Sequence, residues 1–201
     1  MGRQIRRAHP FSRGHCVKFT PAPLPGAFVI DIERHEDERG FFARTVCTEE
    51  FAHHGLNPNF LQHSVSWNPR QGTLRGMHYQ AAPHEEEKLV RVTRGAVFDV
   101  IVDLRRDSPA FGRWFGVELS ADNHRQLYIP RGVAHGFQTL QADTEVFYAM
   151  AEVFHPTAAR GLRWDDAALD IAWPDCNNRT ISDKDRALPL FSECFETTKT
   201  H

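Results

Sequence analysis

Apolar and β-branched residues fall in short runs along most of this chain, and turn residues break them at regular spacing. Those runs predict strands at Phe60–Trp67, Thr73–Gln80, Lys88–Val92, Ala96–Leu104, Arg113–Leu119, Gln126–Ile129, Gly136–Thr139 and Glu145–Val153. Asn68-Pro69, Arg94-Gly95, Asp107-Ser108-Pro109 and Pro130-Arg131-Gly132 punctuate them. Upstream, Ala27–Ile32 and Gly40–Val46 read as two more strands, joined through the turn Asp37-Glu38-Arg39-Gly40. Thr48-Glu49-Glu50-Phe51 opens a short helix with an acidic first turn, and Gly55 stops it. Many short strands with little helical periodicity predict an all-β fold, a barrel or double-sheet jelly roll. Beyond Val153 the pattern changes: Asp165–Leu169 and the segment after Trp173-Pro174 read as short peripheral helical turns.

One predicted strand carries the chemistry. In Gly72-Thr73-Leu74-Arg75-Gly76-Met77-His78-Tyr79-Gln80, strict alternation sends Leu74, Gly76, His78 and Gln80 to one face. Thr73, Arg75, Met77 and Tyr79 go to the other. At the end of such a strand His78 is either a half-buried core histidine or a base or metal ligand in a barrel mouth.

Composition narrows the options. A formal net charge of −2, with both signs mixed along the chain, disfavours a nucleic-acid binder that relies on a broad positive field. No apolar run approaches the ~20 residues that span a bilayer. The basic start, Met1 to Arg7, is not followed by an apolar segment of signal-peptide length. Cys16, Cys47, Cys176 and Cys194 are scattered without metal or redox spacing, so they read as reduced thiols of a cytoplasmic protein. Residues 1–22 are basic and aperiodic and read as a peripheral or mobile extension, 23–190 as one domain, and 191–201 as a tail.

The spacing from Gly72 to Gly95 resembles the first motif of cupin barrels, and Pro130-Arg131-Gly132-Val133-Ala134-His135 resembles the second. In metal-binding cupins three histidines and a glutamate converge inside the barrel. Here His78 and His135 are kept, but Gln80 stands at the second histidine position and Lys88 at the glutamate. A protonated ammonium repels a cation, and two imidazoles fall short of the usual three protein ligands. The site therefore reads as metal-free and cofactor-free. Arg75, His78, Lys88 and His135 suit proton abstraction next to a carbonyl, with His78 as base and Lys88 opposing the charge of the enolate. Tyr148 is either a proton donor on the other face or a packed core tyrosine. A metal-dependent cupin and a non-catalytic nucleotide-sugar binder are the rival classes.

Several segments together resemble the dTDP-4-dehydrorhamnose 3,5-epimerase family. They are Leu74–Gln80, Lys88–Arg91, Phe98–Asp103, Pro130–Phe137, Glu145–Tyr148, Arg160–Asp166 and Ile181–Asp185. The resemblance implies a cupin-type jelly roll over 23–190 with short peripheral helices. It also implies a homodimer and a nucleotide-linked 4-keto-6-deoxyhexose, dTDP-linked, as substrate, with no nucleic acid or membrane partner. Carried over by position, His78 is the base, Asp185 its carboxylate partner, Tyr148 the proton donor and Lys88 the enolate support. Arg39, Gln62, Arg75 and His135 contact the nucleotide sugar, Arg39 from the neighbouring subunit, and Phe154 stacks on the base. Three positions depart from the pattern: Phe154 replaces a common tyrosine, Ser64 an asparagine, and Arg44 a glutamate.

Overall fold

In the computed structural model, which describes residues 17–195, strands dominate and pair antiparallel. In chain order they begin with β1 (Lys18–Pro21), β2 (Phe28–Asp31), β3 (His35–Asp37) and β4 (Gly40–Phe42), followed by helix α1 (Thr48–His53). Next come β5 (Gln62–Asn68), β6 (Leu74–Gln80), β7 (Lys88–Arg94), β8 (Ala96–Asp103) and β9 (Trp114–Ser120). Then follow β10 (Gln126–Ile129), β11 (Val133–Thr139), β12 (Thr144–Met150) and β13 (Ala159–Gly161), and two short helices, α2 (Asp183–Arg186) and α3 (Phe191–Phe195). A six-stranded sheet in the order β1-β2-β10-β7-β12-β5 faces a five-stranded sheet in the order β13-β6-β11-β8-β9. This is the cupin-type jelly roll, with short helices at its edge.

Period-two alternation sorts the strands into layers. Val90 and Val92 of β7, Val97 and Ile101 of β8, Leu127 and Ile129 of β10, and Val146 of β12 pack together between the sheets. Their neighbours turn outward: Leu89, Tyr128 and Ala149 pack with Phe51 of α1, and Val100 and Val102 with Met77, Leu162 and Leu169. Each fully buried aliphatic side chain contributes roughly 1.5–3 kcal/mol. Polar residues that share the inward phase, Lys88, Asp99, His135 and Tyr148, therefore stand beside this core at one end of the barrel.

Three expectations need revision. Lys18–Pro21, placed in a peripheral extension, form the edge strand β1, in register with Phe28–Asp31. Val17 beside it is buried. Residues 1–16 lie outside the described residues. Phe191, Cys194 and Phe195, placed in a tail, pack through α3 against the Met77–Leu162 cluster. Gly40–Val46, read as one strand, keeps strand form only over Gly40–Phe42. Three residues are too few to show alternation, which is why β3 and β13 are illegible as strands in the sequence.

Candidate active site

Strict alternation fails at the strand that matters most. His135 pairs with His78 and Phe137 with Arg75, so two steps on β11 match three on β6. This β-bulge inserts an extra residue and reverses the phase of the strand. Met77 points outward to the core, while Arg75 and His78 both line the cavity. Glycine makes the bulge possible. Gly76 has φ 133°, a region that side chains disfavour, and a Cβ there would lie 2.5 Å from Gly136 Cα.

The cavity has a volume of about 460 Å3 and opens between the two sheets. Of the nine site residues expected from sequence, seven line it: Gln62, Arg75, His78, Lys88, His135, Tyr148 and Phe154. Asp185 sits directly behind His78, whose Nε2 lies 2.8 Å from Asp185 Oδ1. Ser182 caps α2 by accepting the Asp185 amide, and Asp185 Oδ2 accepts from the Gly76 amide at 3.3 Å. Burial alone would raise the Asp185 carboxyl, but hydrogen bonds from His78, Gly76 and Ser182 hold it below the usual carboxylate value. It is therefore ionised at neutral pH and can only accept. The proton between the pair then belongs to His78 Nε2, and the Nδ1 lone pair is left as the basic site.

A second imidazole–carboxylate pair lies beside the first. His135 Nε2 is 2.8 Å from Asp99 Oδ1, and Asp99 is fully buried on β8. Its other oxygen, Oδ2, has no hydrogen-bond partner. The Tyr148 ring stands edge-on to His135, with centroids 6.0 Å apart. Burial pushes the Tyr148 phenol well above its ordinary value, and the Asp99 charge pushes it further, against the opposing pull of Arg75 and a Ser66 hydrogen bond. Tyr148 thus stays a proton-carrying phenol at neutral pH. Of the other tyrosines, Tyr128 faces the outer layer and accepts from the Asn57 amide. Tyr79 borders the cavity while packing against the outward cluster.

Lys88 and Gln80, the two departures from a metal site, have other partners here. Lys88 Nζ is 2.9 Å from Glu86 Oε1, and the Gln80 amide bonds to Glu86, His84, Val153 and His155. Among the described residues no group of three or more His, Cys, Asp or Glu is placed to hold a metal ion. At the mouth, Gln62 Oε1 accepts the Phe154 amide at 3.0 Å, and the Phe154 ring is 57% exposed. Arg39 is the exception: it lies at the tip of the β3–β4 hairpin, paired to Asp37, and does not line the cavity. Sequence reasoning missed Asp99, Glu86 and Asn68. Asn68 Oδ1 accepts from Arg75 Nε at 2.8 Å. The one signal that could have found Asp99 is its phase, shared with Val97 and Ile101 of β8, which face the core.

A jelly roll whose cavity holds an imidazole, a protonated phenol and a buried ammonium has the groups that acid–base chemistry on a small molecule requires. The family model described as dTDP-4-dehydrorhamnose 3,5-epimerase matches residues 21–193. The chain belongs to that family, and it is an epimerase of a nucleotide-linked 4-keto-6-deoxyhexose. It is 43% identical over 171 residues to the dTDP-4-dehydrorhamnose 3,5-epimerase of Methanothermobacter thermautotrophicus, covering 84% of this chain and 91% of that one. The crystal structure of the Bacillus anthracis epimerase with TDP and PPi bound is 42% identical, with TM-score 0.84, over 87% of this chain and 99% of that one. ChmJ, a 3′-monoepimerase from Streptomyces bikiniensis in complex with dTDP-quinovose, is 31% identical, with TM-score 0.80, over 87% and 89%.

Proposed function

We propose that His78 Nδ1 removes the C3 proton of a dTDP-linked 4-keto sugar, that Lys88 opposes the negative charge of the enolate oxygen, and that Tyr148 returns a proton. The observation that carries this reading is the 2.8 Å His78–Asp185 bond on a cavity that also holds Tyr148 and Lys88. His78 and Tyr148 come from opposing sheets, on β6 and β12, which suits removal and return of a proton on opposite sides of a planar enolate. A C–H bond next to a ketone becomes acidic only when the enolate oxygen meets preorganised positive charge. Asp185 orients the imidazole and stabilises the imidazolium formed by proton abstraction. His135, held by Asp99, offers a further polar group to the sugar. Arg75 and Gln62 contact the nucleotide sugar, and Phe154 stacks on the base. The dTDP moiety is proposed from the TDP and dTDP-sugar complexes of the relatives. C3 is proposed because the 3,5-epimerases and the monoepimerase share that position.

NMR of dTDP-4-keto-6-deoxyglucose in D2O tests the reading. C3–H is expected to exchange with solvent in the presence of the protein, and the same spectrum reports C5. No exchange at either carbon overturns the proposal.

Arg39 enters through a second copy of the chain. Val65 and Trp67 of the edge strand β5 are more than half exposed, as is Leu61, and Phe42 on the Arg39 hairpin is 73% exposed. Exposed apolar residues on a strand edge and a protruding hairpin support a homodimer in which Arg39 reaches the partner's cavity. Light scattering should give twice the 23.0 kDa chain mass, and W67E should lower it. A monomer of undiminished activity would overturn the arrangement. No helix among the described residues is long and apolar enough to cross a membrane, and Cys47, Cys176 and Cys194 are free thiols. The free thiols support a cytoplasmic location.

A further inference from the structure

We propose that Glu86 is a positioning residue, holding the Lys88 ammonium at the enolate end of the cavity and joining that end to the turn that carries Phe154. The inference rests on the epimerase reading, in which Lys88 meets the enolate.

Glu86 is out of place by charge. Among the described residues it is the one carboxylate lining a cavity that also holds Arg75, Lys88, Arg160 and Lys184. A free carboxylate there would repel a diphosphate ligand. Its oxygens are instead engaged within the protein. Oε1 lies 2.9 Å from Lys88 Nζ, with the two side chains only 8% and 11% exposed. Oε2 accepts from Gln80 Nε2 at 3.3 Å. The two hydrogens of that amide are shared with the carbonyls of His84 and Val153, and Gln80 Oε1 accepts the His155 amide. Gln80 thereby pins both sides of Phe154, whose own amide is held by Gln62. One connected set of bonds runs from the ammonium at the sugar end to the aromatic ring at the mouth.

The physical role follows from two effects. An unpartnered lysine loses rotamer entropy when fixed in one position. A charge stabilises a developing oxyanion best when it is fixed beforehand. The ion pair with Glu86 sets the Lys88 position during folding rather than during the reaction. It also damps the pull of Lys88 on the diphosphate. Among the described residues Arg160 bonds to the carbonyls of Thr157 and Ala159, neutral acceptors that leave its charge for that group. The cavity is thus polarised, with the keto sugar directed to Lys88 and the diphosphate to the arginines.

The test is E86Q, which keeps the shape and removes the charge, in both the wild-type and K88M backgrounds. Solvent exchange at C3 is followed by NMR for hours, so that slow variants are still measured. In the wild-type background kcat should fall at least ~10-fold, while KM stays within about twofold. In the K88M background the same change should cost less than about twofold, because its effect passes through Lys88. Equal losses in both backgrounds would assign Glu86 to loop structure and overturn the proposal, as would unchanged turnover. If wild-type protein exchanges no proton, the epimerase reading falls and takes this inference with it. If wild-type protein exchanges and E86Q matches it, only the role of Glu86 falls.

Discussion

Gly76 and Gly136 face each other across β6 and β11 so closely that a Cβ on Gly136 would lie 2.8 Å from the Arg75 carbonyl oxygen and 2.6 Å from Met77 Sδ. The bulge that turns both Arg75 and His78 into the cavity depends on this approach. G136A should therefore destabilise the fold by about 1–3 kcal/mol, the range for overpacking a tight contact. It should also lower kcat/KM at least ~10-fold by misplacing His78. Urea melts and initial rates check the two effects separately.

Removing the base should be the most damaging single change. H78A is expected to lower turnover by at least ~10² while leaving dTDP binding in place. D185N should be milder, because the imidazole remains but loses the acceptor that fixes its tautomer. C3 exchange rates in D2O rank the two, and wild-type kinetics in D185N would remove Asp185 from the pair.

The Asp99 charge bears on Tyr148 as well as on His135. A nearby negative charge disfavours phenolate, so D99N should lower the Tyr148 pKa. The phenolate absorbance of D99N, compared with that of D99N/Y148F, isolates this residue. An unmoved or raised value would show that Asp99 does not act on the phenol.

Stability at low pH should depend on Asp103, whose side chain is fully buried. Burial acts to raise its carboxyl, but hydrogen bonds from Arg105 and Ser108 outweigh it and hold the carboxyl below the usual range. A depressed folded-state pKa means that ionised Asp103 adds stability above the unfolded value of about 3.9. That contribution is lost as pH falls through the folded value. D103N should be less stable at pH 7 by about 2–4 kcal/mol, and the gap should narrow below about pH 4. Chemical denaturation at neutral and acidic pH measures it, and a pH-independent gap would contradict the assignment.

The sequence by itself determined most of the barrel. The short apolar runs Lys88–Val92, Ala96–Leu104 and Gln126–Ile129 are a local property of each strand, because both faces of these strands are covered. It also exposed His78 and Lys88 as candidates, since they stand at ligand positions of the cupin motif, and left Tyr148 open between a proton donor and a core tyrosine. Family resemblance, rather than local pattern, brought in Asp185, which is 107 residues from His78 along the chain. The tertiary structure alone decided that Arg75 and His78 share a face, because the bulge follows from a contact between two glycines on different strands. It alone joined Asp99 to His135 and Glu86 to Lys88, placed Lys18–Pro21 in a sheet and packed Phe191 against the core. A strand's period is written in consecutive side chains. The partner of a buried charge, and the neighbour that forces a glycine, are settled only when distant segments meet.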